Sequence, residues 1–343
     1  MIRPDGPFEP GPEPRPFVRI PFTVLPITPL IASGEQALKE VSRVVSPQHG
    51  TLANERPGRS RLILAAWFGT LLMSRLPEIV LREGFGIEAD WISAAWIGVG
   101  ITLWLLGAQM AVLRPLRSYF LVMTFVATLS AIDQVIRGSA AWDALVSADA
   151  HAMTALLSER LLLVIFAIIL IAFLIASGTS RREAYLVVGS MSAPSSIRLP
   201  GRHGVPWSIV GPIAFVVLGC LTAALAFSIS PAVVPVEAAL SVLWVAVIAA
   251  VLNSFAEEVL YRAAPLSKLV SVIGGANAVF LLAVWFGLGH FYGGIPSGPT
   301  GAIQSGLVAM LFGSAMIETG GLAWPWILHF VIDLVIYVNL ALS

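Results

Sequence analysis

From residue 62 to the end of the chain, apolar runs near the ~20 residues that cross a bilayer follow one another, separated by short polar stretches. They predict helices at 62–82, 91–113, 118–136, 160–178, 207–229, 236–261, 272–292, 302–318 and 322–341. The first is the weakest, because Arg75 and Glu78 interrupt it; read as a short or interfacial helix, it lowers the count from nine spans to eight. The fold class is all-α, a polytopic transmembrane helical bundle with eight or nine spans. Residues 1–60 stand apart as a polar, Pro-rich arm. Its one apolar patch, Ile20 to Ile31, is broken by Pro21, Pro26 and Pro29, so the arm reads as disordered or surface-lying. No charged start leads directly into an apolar h-region, so no cleavable signal peptide is expected. Beyond the arm, 61–235 holds the N-terminal transmembrane helices and 236–343 a C-terminal transmembrane core.

Composition agrees with the pattern. The 343 residues are 57% hydrophobic and 12% charged, against roughly 45–50% and 25% for soluble domains. The bilayer is therefore a partner, and a formal net charge of zero offers no basic field for nucleic acid. The single cysteine, Cys220, allows no internal disulfide and reads as a small core residue. Cytoplasmic loops carry the excess of Lys and Arg. With nine spans and a cytoplasmic N-terminus, sixteen of the twenty basic residues fall inside and only Arg75, Arg82, Arg137 and Arg160 outside.

Charge inside an apolar run is costly and marks a candidate site. Glu257, Glu258 and Arg262, in Glu-Glu-Val-Leu-Tyr-Arg, form such a cluster. Residues four apart share a helix face, so Glu258 pairs with Arg262, while Glu257, about 100° away, is left for chemistry. Asn253, one turn earlier, can bond to Glu257 or to another helix. Two of the five histidines also lie in apolar helices: His290, in Phe286-Gly-Leu-Gly-His290, and His329, in His329-Phe-Val-Ile-Asp333. A turn at Gly274-Gly275 would bring the first to the glutamates. Glu257 lies 17 residues before Gly274 and His290 15 after Gly275, roughly 25 and 22 Å from the turn at 1.5 Å per residue. His329 and Asp333, 8 and 12 residues past Gly321, lie lower, and a kink at Pro265 that lays the next segment along the interface would bring Glu257 down to them. One cavity in the cytoplasmic half then collects Glu257, His290, His329 and Asp333.

These three stretches resemble the signatures E-E-x-x-x-R, F-x-x-x-H and H-x-x-x-N/D of the CPBP family of CAAX proteases and bacteriocin-processing enzymes, also called ABI, in the same order. The resemblance covers roughly residues 236–341. It implies an intramembrane endopeptidase similar to the type II CAAX prenyl endopeptidases, acting on a peptide or membrane-protein substrate. By that likeness Glu257 and His290 activate water, His329 and Asp333 stabilise the oxyanion, and Glu258, Arg262 and Phe286 support the site. The chain departs from the eukaryotic members, which end the last motif with Asn. An ionised Asp333 only accepts hydrogen bonds and would repel an oxyanion, so it must be protonated, orient His329 or help hold a metal.

The residues also support this chemistry on their own: two histidines and a free glutamate supply a base for water and donors for an oxyanion. No cofactor is expected. The zinc alternative would use Glu257, His290 and His329, but no H-E-x-x-H signature accompanies them. A non-hydrolytic immunity or scaffold protein on the same fold is the alternative from another class, and a proton-coupled transporter the third. Asp133 and Gln134 read as facing the interface or a neighbouring helix. The tryptophans 91, 96, 207, 324 and 326 read as an aromatic belt, and 293–299 as a connector or a mobile outer loop.

Overall fold

A computed structural model describes residues 58–88, 91–146, 152–197, 204–231, 233, 240, 243–293 and 297–343. The arm at 1–60 lies outside the described residues except for its last three, and so do positions 294–296 of the 293–299 loop. Among the described residues, each of the nine predicted segments contains a helix. Helix α1 (Arg59–Leu72) is followed by α2 (Leu76–Ile79), which a π turn at Val80–Gly84 continues; α1 and this second piece are bent by 54°. The break falls where charge interrupts the run. Pro77 cannot donate into the helix before it, and Arg75 closes on Glu78 at 2.7 Å.

Helices α3 (Ile92–Gln109) and α4 (Arg117–Arg137) form a hairpin, the short α5 (Ala140–Leu145) follows, and α6 (Ala152–Ala176) and α7 (Trp207–Ile229) complete the N-terminal half. Helix α8 (Leu243–Glu258) runs through a π turn (Val259–Ala263) into α9 (Ala264–Ile273), and together they make one span of 31 residues. Helix α10 (Gly275–Gly289) turns back at once. Gly274 makes that turn with φ 85°, a conformation that favours glycine, and Arg59 donates to the carbonyl of Ile273 at the α9 C-terminus, 3.1 Å away. Helices α11 (Gly298–Thr319) and α12 (Ala323–Leu342) end the chain. Among the described residues, seven helices are long and apolar enough to cross a membrane, or eight if the bent pair is one span, and α10 is a shorter apolar helix. The protein is an all-α, multi-pass integral membrane bundle.

Packing between the helices relies on small residues, since lipid removes most of the hydrophobic drive between spans. Ala246, Ala249 and Ala250 are buried on α8, which packs on α6 and α12. Gly287 on α10 and Gly306 on α11 approach so closely that a Cβ on Gly287 would meet the backbone of Gly306 at 3.2 Å. This contact sets the position of the α10 C-terminus, where His290 sits.

Three expectations need correction. Pro265 does not lay the chain along the interface: the helix widens into a π turn and continues, because one added residue relieves the clash of the proline ring with the carbonyl four positions back. Cys220 faces outward from the bundle, not into its core. The aromatic belt fits the exposed Trp91 only. Trp96, Trp207 and Trp324 are buried, and the indoles of Trp207, Trp324 and Trp326 donate to Glu318, to the Met191 carbonyl and to the Val251 carbonyl, so they tie helices and loops together.

Candidate active site

The site is built on the junction of α8 and its π turn. Glu258 is wholly buried and pairs with Arg262 across that turn. The guanidinium lies over the rings of Phe286 (4.2 Å) on α10 and Phe312 (5.0 Å) on α11, so the cation is held by one carboxylate and two aromatic faces. One oxygen of Glu258 also takes a second partner, His329 Nδ1 on α12, at 2.7 Å. A carboxylate only accepts, which assigns the hydrogen to Nδ1 and leaves Nε2 as the free edge of the ring.

That free edge faces two carboxyls. His329 Nε2 lies 3.6 Å from Glu257 Oε2 and 3.6 Å from Asp333 Oδ1, beyond ordinary hydrogen-bond length in each case. Asn253 ties the same two acids from behind, its side-chain amide donating to Glu257 Oε1 at 3.2 Å and to Asp333 Oδ2 at 3.0 Å. Glu257 Oε2 has no hydrogen-bond partner, so it is the acceptor the site leaves open.

His290 comes from the opposite side, at the C-terminal end of α10. Its Nδ1 lies 3.0 Å from the Phe286 carbonyl, one turn back, and a carbonyl only accepts. The hydrogen therefore sits on Nδ1, and Nε2 keeps a lone pair. The imidazole also rests against Phe286, ring centres 4.3 Å apart, so this phenylalanine supports both Arg262 and His290.

Two cavities meet here. The larger, about 480 Å³, is walled by Asn253, Glu257, His290, His329 and Asp333 on one side and by apolar residues such as Leu221, Leu225 and Ile336 on the other. The smaller, about 250 Å³, runs from the same Glu257, Phe286 and His290 to Arg75, Trp96 and Gln134 on the N-terminal helices.

All four residues read as catalytic from the sequence thus line one cavity, with Phe286 in its wall and Glu258 and Arg262 packed directly behind it. Asp133 pairs with Arg137 at 2.9 Å. Gln134 bonds to Ser93 on α3, as an interhelical contact would, but it also lines the smaller cavity. The reading from sequence missed the second role of Glu258, the double bond of Asn253, and the parts of Phe312 and Arg160. Arg160 lines the larger cavity and sits over Tyr337, 5.6 Å from the ring centre. A lone arginine within the 160–178 run was the one available signal for it. Among the described residues, no group of three or more His, Cys, Asp or Glu side chains that could hold a metal ion is found.

With this geometry, one comparison with known proteins bears on the class. Residues 239–335 match the family model described as Type II CAAX prenyl endopeptidase Rce1-like. The fold is that of a multi-pass membrane protein, and the match likens its residues 239–335 to a CAAX-type endopeptidase domain. This is the family whose signatures the three motifs resemble. No curated protein and no solved structure matches the chain.

Proposed function

We propose that this protein is an intramembrane endopeptidase in which Glu257 and His290 activate water against a peptide bond held in the cavity between them. Glu257 offers the open acceptor Oε2 and His290 the lone pair on Nε2, so a water between them is oriented by both and loses its proton to Glu257. As the carbonyl becomes tetrahedral, His329 in its imidazolium form donates Nε2–H to the oxyanion, while its Nδ1–H stays on Glu258. Asp333, held by Asn253, orients these groups as an acceptor and is not itself an oxyanion donor. Glu257, protonated by that step, gives the proton to the leaving amine as the carbon–nitrogen bond breaks.

The observation that carries the reading is the convergence of Glu257, His290, His329 and Asp333 from three helices on one cavity inside a membrane bundle. The family description makes a peptide ending in a prenylated CAAX sequence the first substrate to try. We also place the N-terminus on the cytoplasmic side, from the sixteen-to-four distribution of basic residues. Arg75 and Arg160 fall on the outer side in that assignment and line the two cavities, so the site reaches toward the outer half and not the cytoplasmic half expected from sequence. Quantitative peptide profiling of membranes carrying wild type or Glu257→Ala tests the activity. Products present only with wild type support it, and identical profiles from equally expressed, inserted proteins overturn it in favour of a scaffold.

A further inference from the structure

The smaller cavity is not explained by the chemistry at Glu257. Part of its wall comes from the α1–α2 break, α3 and α4, outside the matched residues 239–335, and it reaches the site through Glu257, Phe286 and His290, which line both cavities. The two differ in kind: the larger has a wall of leucine, isoleucine and valine, whereas the smaller presents polar groups that donate. Trp96 is 7% exposed, and its indole N–H has no hydrogen-bond partner. An indole can only donate. Ser93 Oγ donates to Gln134 Oε1 at 2.7 Å, which leaves the Gln134 NH₂ as its free end. Arg75 spends one nitrogen on Glu78 and lies 5.6 Å from the Trp96 ring centre. The bend between α1 and α2 is what brings Arg75 here, so the charge that weakens the first span also forms the far wall of this cavity.

Three donors around a polar cavity beside a hydrolytic site call for an acceptor carrying negative charge. We propose that the Arg75–Trp96–Gln134 cavity is a carboxylate-binding subsite for the substrate peptide on one side of the cleaved bond. The remainder of the substrate, apolar in character, occupies the larger cavity, and the scissile bond lies between them at Glu257 and His290. The carboxylate belongs to the chain terminus or to an acidic side chain near the cut. The proposal rests on the peptidase reading.

The test begins with a peptide that wild-type membranes cleave and Glu257→Ala membranes do not. It is synthesised unchanged, with its terminal carboxylate amidated, and with each acid near the cut replaced by its amide. Purified, reconstituted wild type is compared with Trp96→Phe, which keeps the ring and removes the N–H, and with Gln134→Glu, which keeps the shape and replaces a donor by a like charge. The expected result is a KM raised about tenfold or more in both variants, the scale of a lost hydrogen bond to a charged group, with kcat within threefold. The effect should vanish for whichever amide form lacks the carboxylate, which also tells terminus from side chain. Unchanged KM in both variants, or an equal rise for every amide form, overturns the subsite while the peptidase reading stands. If no peptide depends on Glu257, the peptidase reading fails first and the subsite with it. Gln134→Glu keeps the test open should Trp96→Phe fold poorly.

Discussion

His329 is fastened by Nδ1 to Glu258, 2.7 Å away, and it is through this bond that the buried Glu258–Arg262 pair reaches the cavity. The second glutamate of the pair therefore does two things. It neutralises Arg262 on its own helix, and it sets the angle at which α12 presents the Nε2 of His329 to Glu257 and Asp333.

Glu258→Ala should accordingly destabilise the whole bundle. It strands the Arg262 guanidinium in a buried site with only Phe286 and Phe312 around it. Breaking a buried pair from one side costs about 3–5 kcal/mol, so thermal unfolding in detergent should shift down by several degrees and cleavage should be lost. An unfolding midpoint equal to that of wild type would show that the pair carries no structural load.

Asn253→Ala should leave the fold intact and slow the reaction. It removes the donor shared by Glu257 Oε1 and Asp333 Oδ2. Hydrogen bonds to charged groups are worth about 1.5–3 kcal/mol, so kcat should fall roughly ten- to hundredfold with the unfolding midpoint little changed. Asn253→Asp should be worse, because it sets a third acceptor between two carboxyls.

How far these features were legible in the sequence depends on the distance over which they are encoded. The Glu258–Arg262 pair lies within one helix, where spacing alone determines who faces whom. The meeting of Glu257 and His290 followed from counting residues on either side of Gly274, because a hairpin with a glycine turn preserves depth. The bond from His329 to Glu258 spans 71 positions and depends on how α12 is rotated, which no local pattern records. The bridging by Asn253 and the place of Phe312 depend on interhelical register in the same way. Trp207 and Trp324 were misjudged because an indole at a span end looks the same whether it faces lipid headgroups or a loop folded over the helix.

Chelation should leave the activity unchanged. The account assigns water activation to Glu257 and His290 without a metal. Dialysis against EDTA or phenanthroline, with metal content read by mass spectrometry, should leave the rate within twofold. Loss on chelation with recovery on adding zinc would establish the metal-dependent version.

The orientation can be read by labelling. Asp143 is exposed on α5, after the third predicted span, and the distribution of basic residues places it outside. In a Cys220→Ser background, Asp143→Cys should react with a membrane-impermeant maleimide added to intact cells. Reaction only after permeabilisation would invert the assignment.

The asymmetry of the two glutamates is the centre of the account, and one comparison addresses it directly. Cleavage of the Glu257-dependent peptide is measured for Glu257→Gln and wild type, each purified, monodisperse and equal in unfolding midpoint. Replacing a general base by its amide should lower kcat by about 10²–10⁴ with binding retained. If Glu257→Gln cleaves at a rate within threefold of wild type, Glu257 is not the group that activates water.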